Sequence, residues 1–324
     1  MIKYFRHSSV FELDSGRRFD SIQIAYHSFG TFKKGIPVIW VCHALTANSD
    51  VSEWWAGIFG KDKTLDTEKY FIVCANNLGS CYGTSFESSD SNEDLPLISI
   101  RDIARSHILL MQYLGIGSIF MLIGGSQGGQ IALEIAYERQ QQIRNMVLLA
   151  TNARHSAWGI AFNEAQRLCI ESNSEEGIRA ARAIAMLSYR NYEMYSRTEK
   201  VEDYEKISDY GAAAYQRYQG EKLKVRFNSK AYLILSRAMD SHNLGRGRGE
   251  LAQVINRIGT KTLLIGISSD ILFPVSELQF LAKNLPDALL SVIDSAYGHD
   301  GFLTETTKIN KIISAFINSG LNKL

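Results

Sequence analysis

Gly124-Gly125-Ser126-Gln127-Gly128 lies between an apolar run, residues 119–123, and a segment whose apolar residues recur at helical spacing. A strand, a Gly-x-Ser-x-Gly sequence and a helix in this order form a sharp turn that exposes a nucleophilic serine. The serine of such a turn takes a positive φ, and glycine is needed where the neighbouring strand and helix come close. The turn also places the Gln127 N–H at the positive end of a helix, where it can stabilise an oxyanion. The stretch therefore predicts a nucleophile at Ser126 and an oxyanion-hole donor at Gln127.

The same stretch has two alternative interpretations. A glycine-rich turn from strand to helix can have no chemical role at all. A dinucleotide-binding turn would need G-x-G-x-x-G on the first strand and an acidic residue after the next strand. The sequence has neither of these features, so the nucleophile is the favoured interpretation.

Short apolar runs rich in β-branched residues alternate with helix-like segments along the chain. These runs cover residues 38–42, 70–75, 119–123, 146–150, 262–267 and 290–293. Continuous runs of this length are typical of strands that are buried on both faces, and their alternation with helices predicts a mostly parallel sheet. Residues 10–13 and 22–29 alternate between polar and apolar positions and predict antiparallel strands at one edge.

One long segment interrupts this alternation. Residues 152–258 contain few candidate strands and many helix formers, for example at 178–187 and 231–239. A connection of this length is too long to be a loop. We therefore predict that residues 1–151 and 259–324 form the core domain and that residues 152–258 form a helical lid over the carboxyl ends of the strands.

A serine nucleophile needs a base that removes its proton and an acid that orients the base. In the α/β-hydrolase fold the order along the chain is Ser, then Asp or Glu, then His, each on a loop after a strand. Asp270 follows the apolar run 262–267, and His299 follows the run 290–293. We therefore predict an α/β-hydrolase fold, with helices flanking the central sheet, and a triad of Ser126, Asp270 and His299. Asp294 is the alternative acid.

The second oxyanion-hole N–H is expected in the loop after an earlier strand. Residues 38–42 lead into His43-Ala44-Leu45-Thr46 at the corresponding place in the chain. Leu45 is the predicted donor. We expect the ring of His43 to hold this loop in place rather than to act as a base.

The composition of the 324-residue chain, 45% hydrophobic and 21% charged, is that of an ordinary globular protein. A formal net charge of +1 gives no reason to expect a nucleic-acid or anionic-membrane partner, so we expect small-molecule partners. No segment approaches the roughly 18 apolar residues of a membrane span, and the first residues lack the apolar stretch of a signal peptide.

The cysteines predict neither a metal site nor a disulfide framework. They are Cys42, Cys74, Cys81 and Cys169. No pair of them has the close spacing of metal ligands, so no metal site is predicted. Disulfides are not expected in a chain of this size, and a reducing cytoplasm is the simplest location.

Further stretches along the chain support a more specific hypothesis. They are Cys42-His43-Ala44-Leu45-Thr46, Asn77-Leu78-Gly79-Ser80-Cys81-Tyr82-Gly83-Thr84, Ile100-Arg101-Asp102, Arg154-His155-Ser156-Ala157-Trp158, Ala161-Phe162-Asn163-Glu164-Ala165-Gln166-Arg167, Met186-Leu187-Ser188-Tyr189-Arg190, Asp240-Ser241-His242, Gly245-Arg246-Gly247-Arg248-Gly249 and Tyr297-Gly298-His299-Asp300. Together with the Ser126 turn they resemble the homoserine O-acetyltransferase family of methionine biosynthesis. The resemblance covers nearly the whole chain, including the predicted lid.

The resemblance implies transfer of an acetyl group from acetyl-CoA to the homoserine hydroxyl through an acyl-Ser126 intermediate. It implies no tightly bound cofactor, because acetyl-CoA is a substrate, and it suggests a homodimer formed through the lid helices. Arg190 would bind the homoserine carboxylate as a bidentate ligand, and Asp300 would bind the ammonium group.

Several alternatives stay open from the sequence. Relatives use succinyl-CoA as the acyl donor or serine as the acceptor. The same triad would serve an esterase in which water attacks the acyl-enzyme, and a non-catalytic binding protein could share the fold. The tract 245–249 could present cations to CoA phosphates or form a solvated loop.

Overall fold

The computed structural model describes residues 1–89, 94–173, 175–197 and 204–319. The strands are β1 (Lys3–His7), β2 (Phe11–Glu12), β3 (Arg18–Phe19), β4 (Ser21–Phe29), β5 (Val38–Cys42), β6 (Phe71–Ala75), β7 (Ser85–Glu87), β8 (Ile119–Gly125), β9 (Ile143–Leu149), β10 (Lys261–Ile267) and β11 (Ala288–Ile293). The α-helices are α1 (Val51–Trp54), α2 (Ile100–Tyr113), α3 (Gln127–Arg139), α4 (Ala157–Ser172), α5 (Gly177–Tyr189), α6 (Tyr192–Ser196), α7 (Gly211–Arg226), α8 (Ser229–Asp240), α9 (Leu251–Asn256), α10 (Val275–Asn284), α11 (Gly301–Thr304) and α12 (Thr306–Ser319).

A nine-stranded sheet forms the centre of the molecule, in the order β1-β4-β6-β5-β8-β9-β10-β11, with β7 paired to β4. The six strands from β6 to β11 in this order are parallel, whereas β4 is antiparallel to β1, β6 and β7. The prediction of a mostly parallel sheet flanked by helices is confirmed.

The antiparallel edge differs in part from the prediction. Residues 22–29 belong to β4, an antiparallel strand, as expected. Residues 10–13 contribute only β2, which pairs with β3 in a separate two-stranded sheet. The edge of the main sheet is β1, where Phe5 is the one buried residue. A strand with a single buried side chain has almost no hydrophobic alternation, so the pattern of residues 3–7 gave no signal.

The two faces of the parallel strands bury separate clusters of apolar side chains. Successive side chains on a strand point to opposite faces, so Trp40 packs into one cluster and its neighbour Ile39 into the other. All five residues of β5 are buried. This burial on both faces accounts for the continuous apolar runs in the sequence.

In the part of the chain that the structure describes, six α-helices, α4 to α9, lie between β9 and β10. Within this group α4 packs against α5 and α8, and α5 also packs against α7. The division into a core domain, residues 1–151 and 259–324, and a lid, residues 152–258, stays a prediction. Among the described residues, no helix has both the length and the apolar character needed to cross a bilayer.

The tract 245–249 contacts the core through both of its arginines. Arg248 Nη1 lies 2.6 Å from the buried Glu134 Oε2, and the guanidinium lies over the Tyr137 ring at 4.0 Å. Arg246 Nη2 lies 2.8 Å from Asp14 Oδ2. Because both cations already have carboxylate partners, the tract fixes the end of the α8–α9 connection against α3.

Candidate active site

Ser126 lies in a strained turn between β8 and α3. Its φ is +56° and its ψ is −128°, a conformation that non-glycine residues rarely adopt. The Ser126 N–H donates to the Leu149 carbonyl oxygen at 2.9 Å, and the Thr151 hydroxyl donates to the Ser126 carbonyl oxygen at 2.8 Å. These bonds to the β9 end of the sheet hold the turn in its conformation.

Two glycines make the close packing of this turn possible. A Cβ atom on Gly128 would overlap the Cys42 carbonyl oxygen, and one on Gly124 would overlap the Gly128 carbonyl group. In both cases the obstacle is backbone, which cannot move aside as a flexible side chain can. The glycines of the motif are therefore steric requirements of the strand–helix junction.

His299 is oriented by Asp270. The two side chains are buried, and His299 Nδ1 lies 2.7 Å from Asp270 Oδ2. The other carboxylate oxygen of Asp270 accepts hydrogen bonds from the Leu272 and Phe273 N–H groups, both at 2.9 Å. If the Nδ1–H donates to Asp270, His299 Nε2 is the acceptor that a serine proton requires.

The alternative acid, Asp294, points elsewhere. Its Oδ1 accepts a hydrogen bond from the Ser268 hydroxyl at 3.0 Å, and the side chain is exposed. The structure therefore brings Asp270 rather than Asp294 to His299.

The loop after β5 contains a buried histidine with two hydrogen bonds. His43 Nδ1 lies 2.8 Å from the Ala44 carbonyl oxygen, and the Asn77 N–H donates to His43 Nε2 at 3.1 Å. Desolvation by burial lowers the pKa of His43 to about 4, so the ring is neutral near pH 7. This ring holds the loop that carries Leu45, in agreement with the structural role expected from the sequence.

Gln127 is the first residue of α3, and its side chain reaches α8 instead of the cavity beside Ser126. Its Nε2 donates to the Leu235 carbonyl oxygen at 2.8 Å, and its Oε1 accepts from Asn77 Nδ2 at 3.4 Å. The side chain of Gln127 is thus held away from the cavity, and the role of its backbone N–H as an oxyanion donor stays a prediction from the motif.

A cavity of about 400 Å³ opens at Ser126 and His299. Leu45 also lines it, so the predicted oxyanion loop faces the nucleophile. Trp54, Phe302 and Leu303 contribute apolar wall. The charged residues of the wall are Glu53, Arg182, Lys222, Arg226 and Asp300.

The structure does not place Arg190 in the wall of this cavity. Arg190 lines a neighbouring pocket with Tyr297 and Tyr215, and its Nε lies 3.1 Å from Asp300 Oδ2. Burial raises the pKa of Asp300, whereas the positive charges of Arg190 and Arg182 lower it. The two residues expected to bind opposite ends of a substrate are thus paired with each other.

Two arginines, Arg182 and Arg226, line the cavity, and neither was predicted from the sequence. The Arg182 guanidinium lies over the Tyr189 ring at 5.3 Å, and the Tyr189 and His299 rings are 5.7 Å apart. Within the described residues no carboxylate lies within ion-pair distance of Arg182. One signal was available, because residues seven apart share a face of a helix and Arg182 precedes Tyr189 by seven.

Comparisons with known proteins identify a family model and relatives that match most of the chain. Residues 37–306 match the family model described as alpha/beta hydrolase fold. The homoserine O-acetyltransferase of Cyclobacterium marinum is 42% identical over 322 residues, which cover 94% of this chain and 92% of the relative. The homoserine O-acetyltransferase of Trichormus variabilis is 36% identical over 339 residues, covering 98% of this chain and 94% of the relative.

Solved structures are also similar to this chain over nearly its whole length. The crystal structure of homoserine O-acetyltransferase from Staphylococcus aureus superposes with a TM-score of 0.85 at 30% identity, covering 98% of this chain and 95% of that chain. Esterase E22 superposes with a TM-score of 0.84 at 19% identity, covering 98% and 100%. The second similarity shows the fold alone, because one fold can support several reactions.

The close packing of the turn predicts that Gly128→Ala greatly lowers the stability of the protein. The added methyl group would displace the backbone of β5 or α3, so we expect the free energy of unfolding to fall by about 3 kcal/mol or more. Gly117→Ala is the matched control, because nothing lies within 4 Å of a Cβ at that position. Thermal unfolding of both variants measures the difference, and equal stability would contradict the steric role of Gly128.

Proposed function

This chain belongs to the homoserine O-acetyltransferase family of the α/β-hydrolase fold, and from this we propose that it transfers an acetyl group from acetyl-CoA to the hydroxyl of L-homoserine. The reaction is a step of methionine biosynthesis in the cytoplasm. Acetyl-CoA acts as a substrate rather than as a tightly bound cofactor. The observation that carries the proposal is the cavity in which Ser126 and His299 lie beside both a cation and an anion, Arg182 and Asp300.

In the first half-reaction Ser126 becomes acetylated. His299 Nε2 takes the proton from the Ser126 hydroxyl as its oxygen attacks the thioester carbonyl carbon. The N–H groups of Leu45 and Gln127 stabilise the oxyanion of the tetrahedral intermediate. The carbon–sulfur bond breaks, and the departing CoA sulfur receives the proton from His299. Asp270 holds the imidazole and stabilises its protonated form.

In the second half-reaction the acceptor hydroxyl takes the place of the thiol. His299 removes the hydroxyl proton, and the acceptor oxygen attacks the acyl carbon on Ser126. Collapse of the second tetrahedral intermediate returns the proton to the Ser126 oxygen and releases the ester. The same three side chains therefore act in both halves.

The charges in the cavity wall suit a zwitterionic amino acid. We assign the acceptor carboxylate to Arg182, which has no carboxylate partner among the described residues, and the ammonium group to Asp300. Arg190, the carboxylate ligand expected from the sequence, remains the alternative. Its position 3.1 Å from Asp300 supports a different task, which is to hold that carboxylate at the cavity.

An esterase is the competing function, because the fold and triad serve both reactions. Transfer requires that an amino-acid acceptor binds at the acyl-enzyme before water reacts with it. The opposite charges of Arg182 and Asp300 in the cavity wall favour the transferase, since an esterase has no need to bind a zwitterion beside its nucleophile.

Release of CoA from acetyl-CoA should depend strongly on the acceptor. We expect homoserine to raise the rate at least about tenfold above water alone, while Ser126→Ala abolishes release in both cases. A thiol assay with acetyl-CoA or succinyl-CoA and with homoserine, serine or no acceptor measures this. Equal release with and without homoserine would favour the esterase, and a preference for succinyl-CoA or serine would change the substrate assignment.

The roles of Arg182 and Arg190 can be distinguished with 3-aminopropan-1-ol, an acceptor that lacks the carboxylate. We expect the wild-type enzyme to prefer homoserine by roughly tenfold to a hundredfold, the value of one charge-assisted contact. The preference should collapse in Arg182→Gln and persist in Arg190→Gln. Ratios of kcat/KM for the two acceptors measure it, and the opposite pattern would restore Arg190 as the carboxylate ligand.

A homodimer formed through the lid helices is also part of the proposal. Large apolar side chains are exposed on these helices, namely Trp158 and Leu168 on α4, Leu187 on α5 and Tyr218 on α7. Exposed apolar side chains that lie near one another mark protein interfaces. Sedimentation velocity should give the mass of two chains at micromolar concentration, and Leu187→Lys should weaken the association. A wild-type monomer would contradict the dimer.

A further inference from the structure

The last turns of α7 present two cations to the cavity beside Ser126. Lys222 and Arg226 both line it, and both side chains are exposed at its mouth. They are four residues apart, so they lie on the same face of the helix. Like charges at this spacing repel each other and destabilise an isolated helix. An anionic ligand would offset this small repulsion.

Neither cation has a carboxylate partner among the described residues. The Arg226 guanidinium donates to neutral acceptors, the Thr46 carbonyl oxygen and, at 3.1 Å, the Tyr82 hydroxyl. By contrast Lys224, between them on α7, lies 2.5 Å from Glu176 Oε1. The negative end of the helix dipole favours all three cations equally, so it does not explain why the two facing the cavity are the unpaired ones.

The acidic residues of the wall do not neutralise these cations. Asp300 Oδ2 lies 3.1 Å from Arg190 Nε, and Glu53 Oε2 accepts a hydrogen bond from Asn48 Nδ2 at 3.3 Å. Lys222 and Arg226 thus leave a positive charge at the exposed part of the cavity that contains the nucleophile. An anionic group that stays near solvent fits this position.

We propose that Lys222 and Arg226 bind the phosphates of the acyl-CoA donor, a step that rests on the proposed function. A CoA thioester must reach Ser126 with its acyl carbon while its phosphates remain at the far end of a long, uncharged arm. Lys222 and Arg226 line the cavity that contains Ser126 and are exposed to solvent, so they lie on the side from which a CoA thioester would enter. The arginines of the tract 245–249 are not available for the task, because Arg246 and Arg248 are paired with Asp14 and Glu134.

The position of Arg226 adds a consequence for the oxyanion hole. Its guanidinium bonds the Thr46 carbonyl, directly after Leu45 in the loop that supplies an oxyanion donor. Arg226 thereby connects the phosphate-binding face of α7 to this loop. Lys222 has no such contact, so a variant at Lys222 reports on the phosphates without disturbing the loop.

The test compares two acetyl donors that differ in their phosphates, acetyl-CoA and S-acetyl-pantetheine. We expect the ratio of their kcat/KM values to fall at least about threefold in Lys222→Gln and in Arg226→Gln, and about tenfold in the double variant. The fall should come from the KM for acetyl-CoA and should shrink at high salt, because exposed charges are screened. Lys283→Gln, an exposed cation on α10 outside the cavity, controls for net charge.

An unchanged ratio in the double variant would overturn the proposal. Equal losses with both donors would also overturn it, because they would indicate a disturbed loop instead of lost phosphate contacts. Direct titration of CoA and pantetheine into the Ser126→Ala protein gives a second readout. Adding Lys222→Gln to this protein should weaken the binding of CoA but not that of pantetheine. If the wild-type protein uses neither donor but cleaves p-nitrophenyl acetate, the proposed function fails first, and this inference fails with it.

Discussion

The left-handed backbone at Ser126 is the constraint on which the rest of the molecule depends. At a φ of +56° the serine is strained, and it keeps this conformation because β8, β9 and α3 enclose it. The Ser126 N–H donates to the Leu149 carbonyl oxygen, and the Thr151 hydroxyl donates to the Ser126 carbonyl oxygen. These two hydrogen bonds fix the peptide units before and after the Ser126 Cα. The parallel sheet supplies these partners, since the carboxyl ends of its strands meet at one edge. A buried sheet is thus the condition for a serine that lines the cavity.

The end of the sheet that carries the nucleophile and the helices inserted between β9 and β10 meet through buried polar contacts. The Gln127 side chain bonds the Leu235 carbonyl on α8, and Gln130 Nε2 lies within hydrogen-bond distance of Asn152 and His155 at the start of the inserted helices. Both glutamines belong to α3, the helix that begins beside Ser126. Because removing one partner of a buried hydrogen bond is destabilising, these contacts hold α8 and the start of the inserted segment against α3. Helices α5 and α7 carry the cations of the cavity wall, and they pack onto this segment through α4.

Much of the fold and part of the candidate site could be predicted from the sequence, because the signals that determine them are local. Buried strands leave continuous apolar runs, and the Ser126 turn requires glycines at fixed offsets, so β5, β8 and β10 were identifiable. Asp270 and His299 followed from their places after strands, and the structure brings those two side chains together. The partners of charged side chains are set by tertiary packing, which no local pattern records. For that reason the sequence could not show that Arg190 lies against Asp300 or that Arg182 lines the cavity, and the role of Arg190 in substrate binding stays a prediction.

In the proposed reaction Ser126 carries the acetyl group between donor and acceptor. The direct measurement is to mix the protein with acetyl-CoA in the absence of acceptor, quench it in acid and map the acetyl group on its peptides by mass spectrometry. We predict one acetyl group on Ser126, which disappears when homoserine is added before the quench and does not form in Ser126→Ala. An active enzyme that transfers acetyl groups to homoserine with no acetylated Ser126 would contradict the account, as would an acetyl group that stays on another residue.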